Sequence, residues 1–139
     1  MVNLSKIKAL TNGHVSDADL PDLAFGEEYE HVITPQKFVI LLQIAVLNVD
    51  LVRIQIGKVE VPFELLPNLD GRTKTYRPAG LDNDDLKRRL VETGATVATP
   101  HSIAMAPGLD VRTIVKNAGP MMAAVKFRVA VVVQEEADE

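Results

Sequence analysis

The chain is expected to be mainly β: an antiparallel β-sandwich, with the jelly roll as a candidate winding, one short α-helix near 83–93 and an extended N-terminal arm. An α+β layered domain is the alternative. The first supporting observation is a mirror about Gly57-Lys58, in which Ile56 faces Val59, Gln55 faces Glu60, Ile54 faces Val61, Arg53 faces Pro62 and Val52 faces Phe63. A two-residue loop with Gly first suits a type II′ turn, whose twist matches the strands it joins. Side chains alternate faces with period two, so this pairing gathers the bulky hydrophobes on one side. The second is the alternation of Val125, Phe127, Val129, Val131 and Val133 with Lys126, Arg128, Ala130, Val132 and Gln134. The third is the apolar run Phe38 to Leu47. Periodicity does not separate a buried strand from a buried helix there, but its β-branched content and the hairpin after it favour a strand.

The chain has 139 residues, 47% of them hydrophobic, enough for a single domain with a real core. It has no cysteine, so disulfides and thiolate metal ligation are excluded. Lys6 and Lys8 are not followed by the apolar region of a secretory leader, and Phe38 to Val52 falls short of the roughly 20 residues that span a bilayer. The expectation is a soluble protein, in the cytoplasm or in a virion. Residues 1–30 and 135–139 together hold ten acidic and two basic residues, a net of −8. With −4 overall, residues 31–134 carry +4. An acidic total disfavours nucleic acid, since neutralising phosphates drives that binding. Acidic ends on a basic body favour contacts between the two, within a chain or between neighbours.

Residues 1–30 read as an arm. Leu4, Ile7 and Leu10 allow a turn or two of helix before Thr11-Asn12-Gly13 stops it, and Leu20, Leu23 and Phe25 can pin an extended segment to a surface. Residues 31–134 form the β-rich domain and 135–139 an acidic tail. After the hairpin, a loop from Leu66 to Gly80 holds a short strand within Arg72 to Arg77. Next comes the helix, with Asp82 as N-cap, Leu81 and Leu86 as a staple, Asp84–Arg88 and Asp85–Arg89 as ion pairs, and Gly94 as terminator. Ala95 to Thr99 and Ser102 to Ala106 are short strands split by Pro100. Val111 to Lys116 reads as a strand by its β-branched content, although Asp110 also suits a helix cap. Asn117 to Pro120 is a turn, and Met121 to Gln134 is the longest strand. Its second half, with Ala130 and Val132 on the polar side of the alternation, is expected to be covered on both faces.

No sequence pattern marks an enzyme. His14, Asp17, Asp19 and Asp22 lack a ligand period, and a solvated acidic arm explains them. Asp82-Asn83-Asp84-Asp85 opens like a calcium loop, but Lys87 and Thr93 stand where Gly and an acid belong. His101-Ser102 has no nucleophile elbow around it. Glu27, Glu28, Glu30 and His31 are too close in sequence to converge on one substrate atom. The recognition candidates are the basic loop Arg72, Lys74, Tyr76 and Arg77, which suits an acidic protein segment, and the apolar arm residues Leu20, Leu23 and Phe25. The expectation is a non-enzymatic assembly protein of the capsid cement or decoration kind, with no cofactor. Its partners would be copies of itself or a larger shell. The alternative is a small ligand-binding barrel or enzyme, with a site near His101, Tyr76, Arg77 and Glu64. An adaptor docking by its acidic arm is a third class. On the assembly reading, trimming residues 1–30 leaves the β-fold intact and abolishes association.

Overall fold

The computed structural model describes residues 10–67, 73–117 and 127–136, with side chains at 19–67, 73–117 and 127–134. The structure is organised around the Gly57-Lys58 turn, which joins β4 (Asp50–Ile56) to β5 (Val59–Val61) with Ile54, Gln55 and Ile56 opposite Val61, Glu60 and Val59. Gly57 has φ 60° and Lys58 does not have positive φ, the type II′ combination. Two expected pairs, Arg53–Pro62 and Val52–Phe63, do not form. Pro62 has no N–H to extend the ladder, and the chain crosses there into the other sheet as β6 (Phe63–Leu65). A register shift between Arg53 and Leu51 marks a bulge at Val52, which turns Leu51 into the core and leaves Val52 half-buried.

The remaining strands are β1 (Leu10–Asp19), β2 (Glu28–Ile33), β3 (Val39–Leu47), β7 (Thr73–Pro78), β8 (Ala95–Thr99), β9 (Ser102–Met105), β10 (Val111–Lys116) and β11 (Arg128–Glu136). Starting at the Gly57 turn, the antiparallel pairs are β4 with β5, β3 with β7, β2 with β10 and β1 with β11. They fall alternately in the smaller and the larger sheet, ordered β2-β10-β4-β5 and β1-β11-β3-β7-β6. One long ribbon, folded at Gly57 and wound around a core, is the jelly-roll arrangement of the sandwich. The helix and the β8–β9 hairpin are inserted between β7 and β10, and β9 adds to the larger sheet beside β3.

The expected N-terminal arm is partly a structural strand. Residues 10–19 form β1 on the edge of the larger sheet, paired from Leu10–Glu136 to Asp19–Arg128, and β2 begins at Glu28. An edge strand is paired on one side only, so its sequence need not alternate strictly. Its last residue, the exposed Asp19, is the kind of charge that discourages further pairing. Leu23, just after it, is 3% exposed in the core. Residues 1–9, all but Asn117 of the expected turn 117–120, and residues 121–126 of the expected last strand lie outside the described residues.

The helix α1 (Asp84–Thr93) is capped by Asn83 rather than Asp82. Asn83 is extended, and its Oδ1 accepts from the Leu86 N–H at 3.0 Å. Leu81, Leu86 and Leu90 are buried. Arg88 pairs with Asp85 and Glu92 instead of Asp84, while Asp85 also reaches Arg89 at 3.4 Å. Gly94, at φ 112°, donates to the Leu90 carbonyl at 3.0 Å and ends the helix.

Between the sheets lie Leu41, Ile44, Ile54, Ile103, Val111, Val129 and Val131, each 1% exposed or less. Each contributes about 1.5–3 kcal/mol by leaving water. No helix among the described residues is long and apolar enough to cross a membrane.

Candidate functional site

The outer faces of the two sheets differ. Outward positions of the smaller sheet carry Glu28, Glu30, Arg53, Glu60, Arg112 and Lys116 together with Val32 and Ile114, with Arg112 paired to Glu30 at 2.9 Å. That is an ordinary solvated face. On the larger sheet, β11 turns Val129, Val131 and Val133 inward, so Arg128, Ala130, Val132 and Gln134 point out. Opposite them on β3 stand Leu47, Ala45, Gln43 and Ile40. This seam is aliphatic and amide in character, with Arg128 its one charged member, paired to Asp19 at 3.0 Å. Ala130 and Val132 are only half-buried, contrary to the expectation that both faces of this strand would be covered.

Two hollows lie along the seam. The smaller, about 190 Å³, lies over Ala45, Leu47, Ala130 and Arg128. The larger, about 490 Å³, is floored by Ile40, Leu42, Ala98 and Val132, with Arg77 and His101 among its lining residues. It forms because β3 changes neighbours along one edge: Val39–Leu41 pair with β9, and Ile44–Leu47 pair with β7. Leu42 is bulged out of the β3–β11 register at this fork. Phe38, Ile40 and Ala104 form a small apolar cluster here, separate from the main core.

Three polar side chains meet beside the larger hollow. Glu64 and Arg77 are cross-strand partners on β6 and β7, and Arg77 Nε donates to Glu64 Oε1 at 2.6 Å. His101, in the β8–β9 turn, has Nδ1 3.1 Å from the Pro78 carbonyl and 3.8 Å from the same Glu64 oxygen. A carbonyl only accepts, so Nδ1 bears the proton and Nε2 is the remaining nitrogen. The contact latches the β8–β9 turn to β7. Ser102 Oγ lies 2.6 Å from Thr99 Oγ1 across the same turn. No group of three potential metal ligands stands together among the described residues.

The sequence candidates are distributed as follows. Glu64, Arg77 and His101 come together. Tyr76 does not join them, because it is adjacent to Arg77 on a strand and faces the core. It is 7% exposed, packs edge-to-face on Phe63 at 5.5 Å, and its hydroxyl accepts from the Leu51 N–H at 3.4 Å. Lys74 shares that inward side and bonds Asp50 at the start of β4, which raises its pKa. The basic loop is therefore split between two faces, and Arg72 lies outside the described residues. Leu20 and Leu23 pack on this chain's own core. Phe25 is 67% exposed. Ala130 was marked by the sequence as an apolar residue on the polar side of its strand, whereas its partner Ala45 was not. The only signal for Ala45 was alanine at an outward position of an otherwise branched strand. No family model, curated protein or solved structure matches the chain.

Proposed function

We propose that this protein is a structural assembly component of the capsid cement or decoration kind, which associates through the outer face of its larger sheet. The observation that carries this reading is the seam along β3 and β11 on the outer face of the larger sheet, which is aliphatic and amide in character and holds two hollows. An apolar patch of this kind is stabilised by cover, and a sheet-edge fold offers copies of itself as one source of cover. The jelly roll is common in viral shells but also serves lectins and other binding domains, so the winding agrees with the reading without carrying it.

Light scattering at micromolar concentration tests the proposal. The wild-type chain is expected to form a defined oligomer. Val132→Arg, which places a charge over the seam, is expected to give a monomer with an unchanged circular dichroism spectrum. A wild-type chain that stays monomeric across the micromolar range would sink the reading.

A second reading, a small-molecule site, is favoured by one observation: the Arg77–Glu64–His101 cluster borders a hollow whose volume falls within the roughly 300–1,000 Å³ of ligand sites. Saturable binding of a metabolite to a monomer, lost in Arg77→Ala, would select it over assembly.

A further inference from the structure

Building on that assembly reading, we propose that the occupant of the larger hollow is the Phe25 turn of a second copy of this chain, so that copies associate head to tail. Phe25 is the most exposed large hydrophobe of the described residues, at 67%. Its position is well braced. Glu27 N–H donates to the Ala24 carbonyl at 2.9 Å, and the Glu27 carboxylate accepts from the Ala24 N–H at 3.2 Å. Gly26 N–H donates to the Asn117 carbonyl at 2.6 Å, and the buried Asn117 amide donates to the Leu23 carbonyl at 2.9 Å. A turn held this way presents its aromatic ring from a fixed backbone, so little backbone entropy is lost on docking.

Complementarity has two parts. The hollow offers an apolar floor of Ile40, Leu42, Ala98 and Val132, and its volume of about 490 Å³ accommodates a phenyl ring. The turn is flanked by the exposed carboxylates of Asp22, Glu27 and Glu28, whereas the hollow's lining includes the Arg77 guanidinium. Glu64 engages Arg77 through Nε, and the guanidinium carries further N–H donors on its terminal nitrogens.

Geometry makes the contact intermolecular. The Phe25 turn sits at the end of β10 in the smaller sheet, tied there by the Gly26 N–H to the Asn117 carbonyl. The hollow is lined by residues of the larger sheet. Phe25, 67% exposed, does not fill the hollow of its own chain. A knob on one sheet and a hole on the other define a heterologous contact, which repeats into a ring or an open chain.

Two variants test this together. Phe25→Asp removes the knob at an exposed position, and Val132→Arg obstructs the hollow. Each alone is expected to weaken self-association about thirtyfold or more, the loss typical of an anchoring residue. Mixed in equal amounts they should form a dimer that neither forms alone, since one supplies an intact hollow and the other an intact Phe25. If Phe25→Asp assembles like the wild type, or the mixture stays monomeric while the wild type associates, the head-to-tail contact is wrong and assembly through the face still stands. A monomeric wild type removes both.

Discussion

His31 shows what a single side chain contributes to pH response. It stands opposite Thr113 across β2 and β10, on the side of the smaller sheet that faces the core. Its Nε2 and the Thr113 hydroxyl are both buried without a hydrogen-bond partner. Each such atom costs about 1–3 kcal/mol relative to a satisfied one. Burial also lowers the imidazole pKa from its ordinary 6.5, since a charge there would lose its hydration. As pH falls through 6.5, unfolded chains take up this proton before folded ones do. Stability present above that pH is therefore lost progressively until the folded-state pKa is passed. Urea unfolding of the wild type between pH 7.5 and about 5.5 should show this loss, and His31→Leu should reduce it. Equal slopes for the two chains would contradict the assignment. Tyr76 and Arg77 show a second residue-scale lesson: neighbours in sequence, they serve opposite faces of one strand.

Among the elements, the Gly57 turn and the helix end constrain each other. A Cβ on Gly57 would come within 2.6 Å of Thr93 Cγ2, and the turn already requires φ 60°. Gly57 N–H also donates to the Asp110 carbonyl at 2.9 Å, joining the ribbon tip to the start of β10. Gly57→Ala is expected to cost about 2 kcal/mol, from positive φ on a non-glycine residue plus a displaced Thr93. Chemical denaturation reads that directly, and a change below a few tenths of a kcal/mol would show that the turn relaxes freely. The same turn was legible in advance because its signal is local: one glycine, one two-residue loop and three matched pairs of residues. The helix stop at Gly94 was legible for the same reason. The bulges at Val52 and Leu42 were not, because each is set by the register of strands distant in sequence.

For the whole molecule, the N-terminal strand changes the meaning of truncation. β1 closes the edge of the larger sheet against β11, whose inward Val129, Val131 and Val133 are at most 2% exposed. Removing residues 1–19 bares the β11 edge and leaves an apolar strand free to pair with other chains. The truncated chain is expected to aggregate or to bind a hydrophobic dye. That reverses the expectation that trimming the N-terminal segment would leave the fold intact. A truncated chain that remains soluble, with native spectra and an unchanged unfolding midpoint, would show β1 to be dispensable. The assembly face belongs to this scale as well. Neither β3 nor β11 alone presents a seam, and the larger hollow exists only where β7 and β9 share an edge of β3.

By itself, the chain's order of residues determined the class of fold, the centre of the ribbon at Gly57-Lys58, the inward row Val129, Val131 and Val133, and the helix that stops at Gly94. These follow from interactions between residues a few positions apart, which periodicity and turn chemistry encode directly. Only the tertiary structure decided that residues 10–19 pair as a strand and that Glu64, Arg77 and His101 converge. It also decided that Ala45 and Ala130 stand opposite each other on the outer side of the larger sheet. Those outcomes depend on which distant strands become neighbours, a choice made by the winding of the ribbon as its apolar faces are buried.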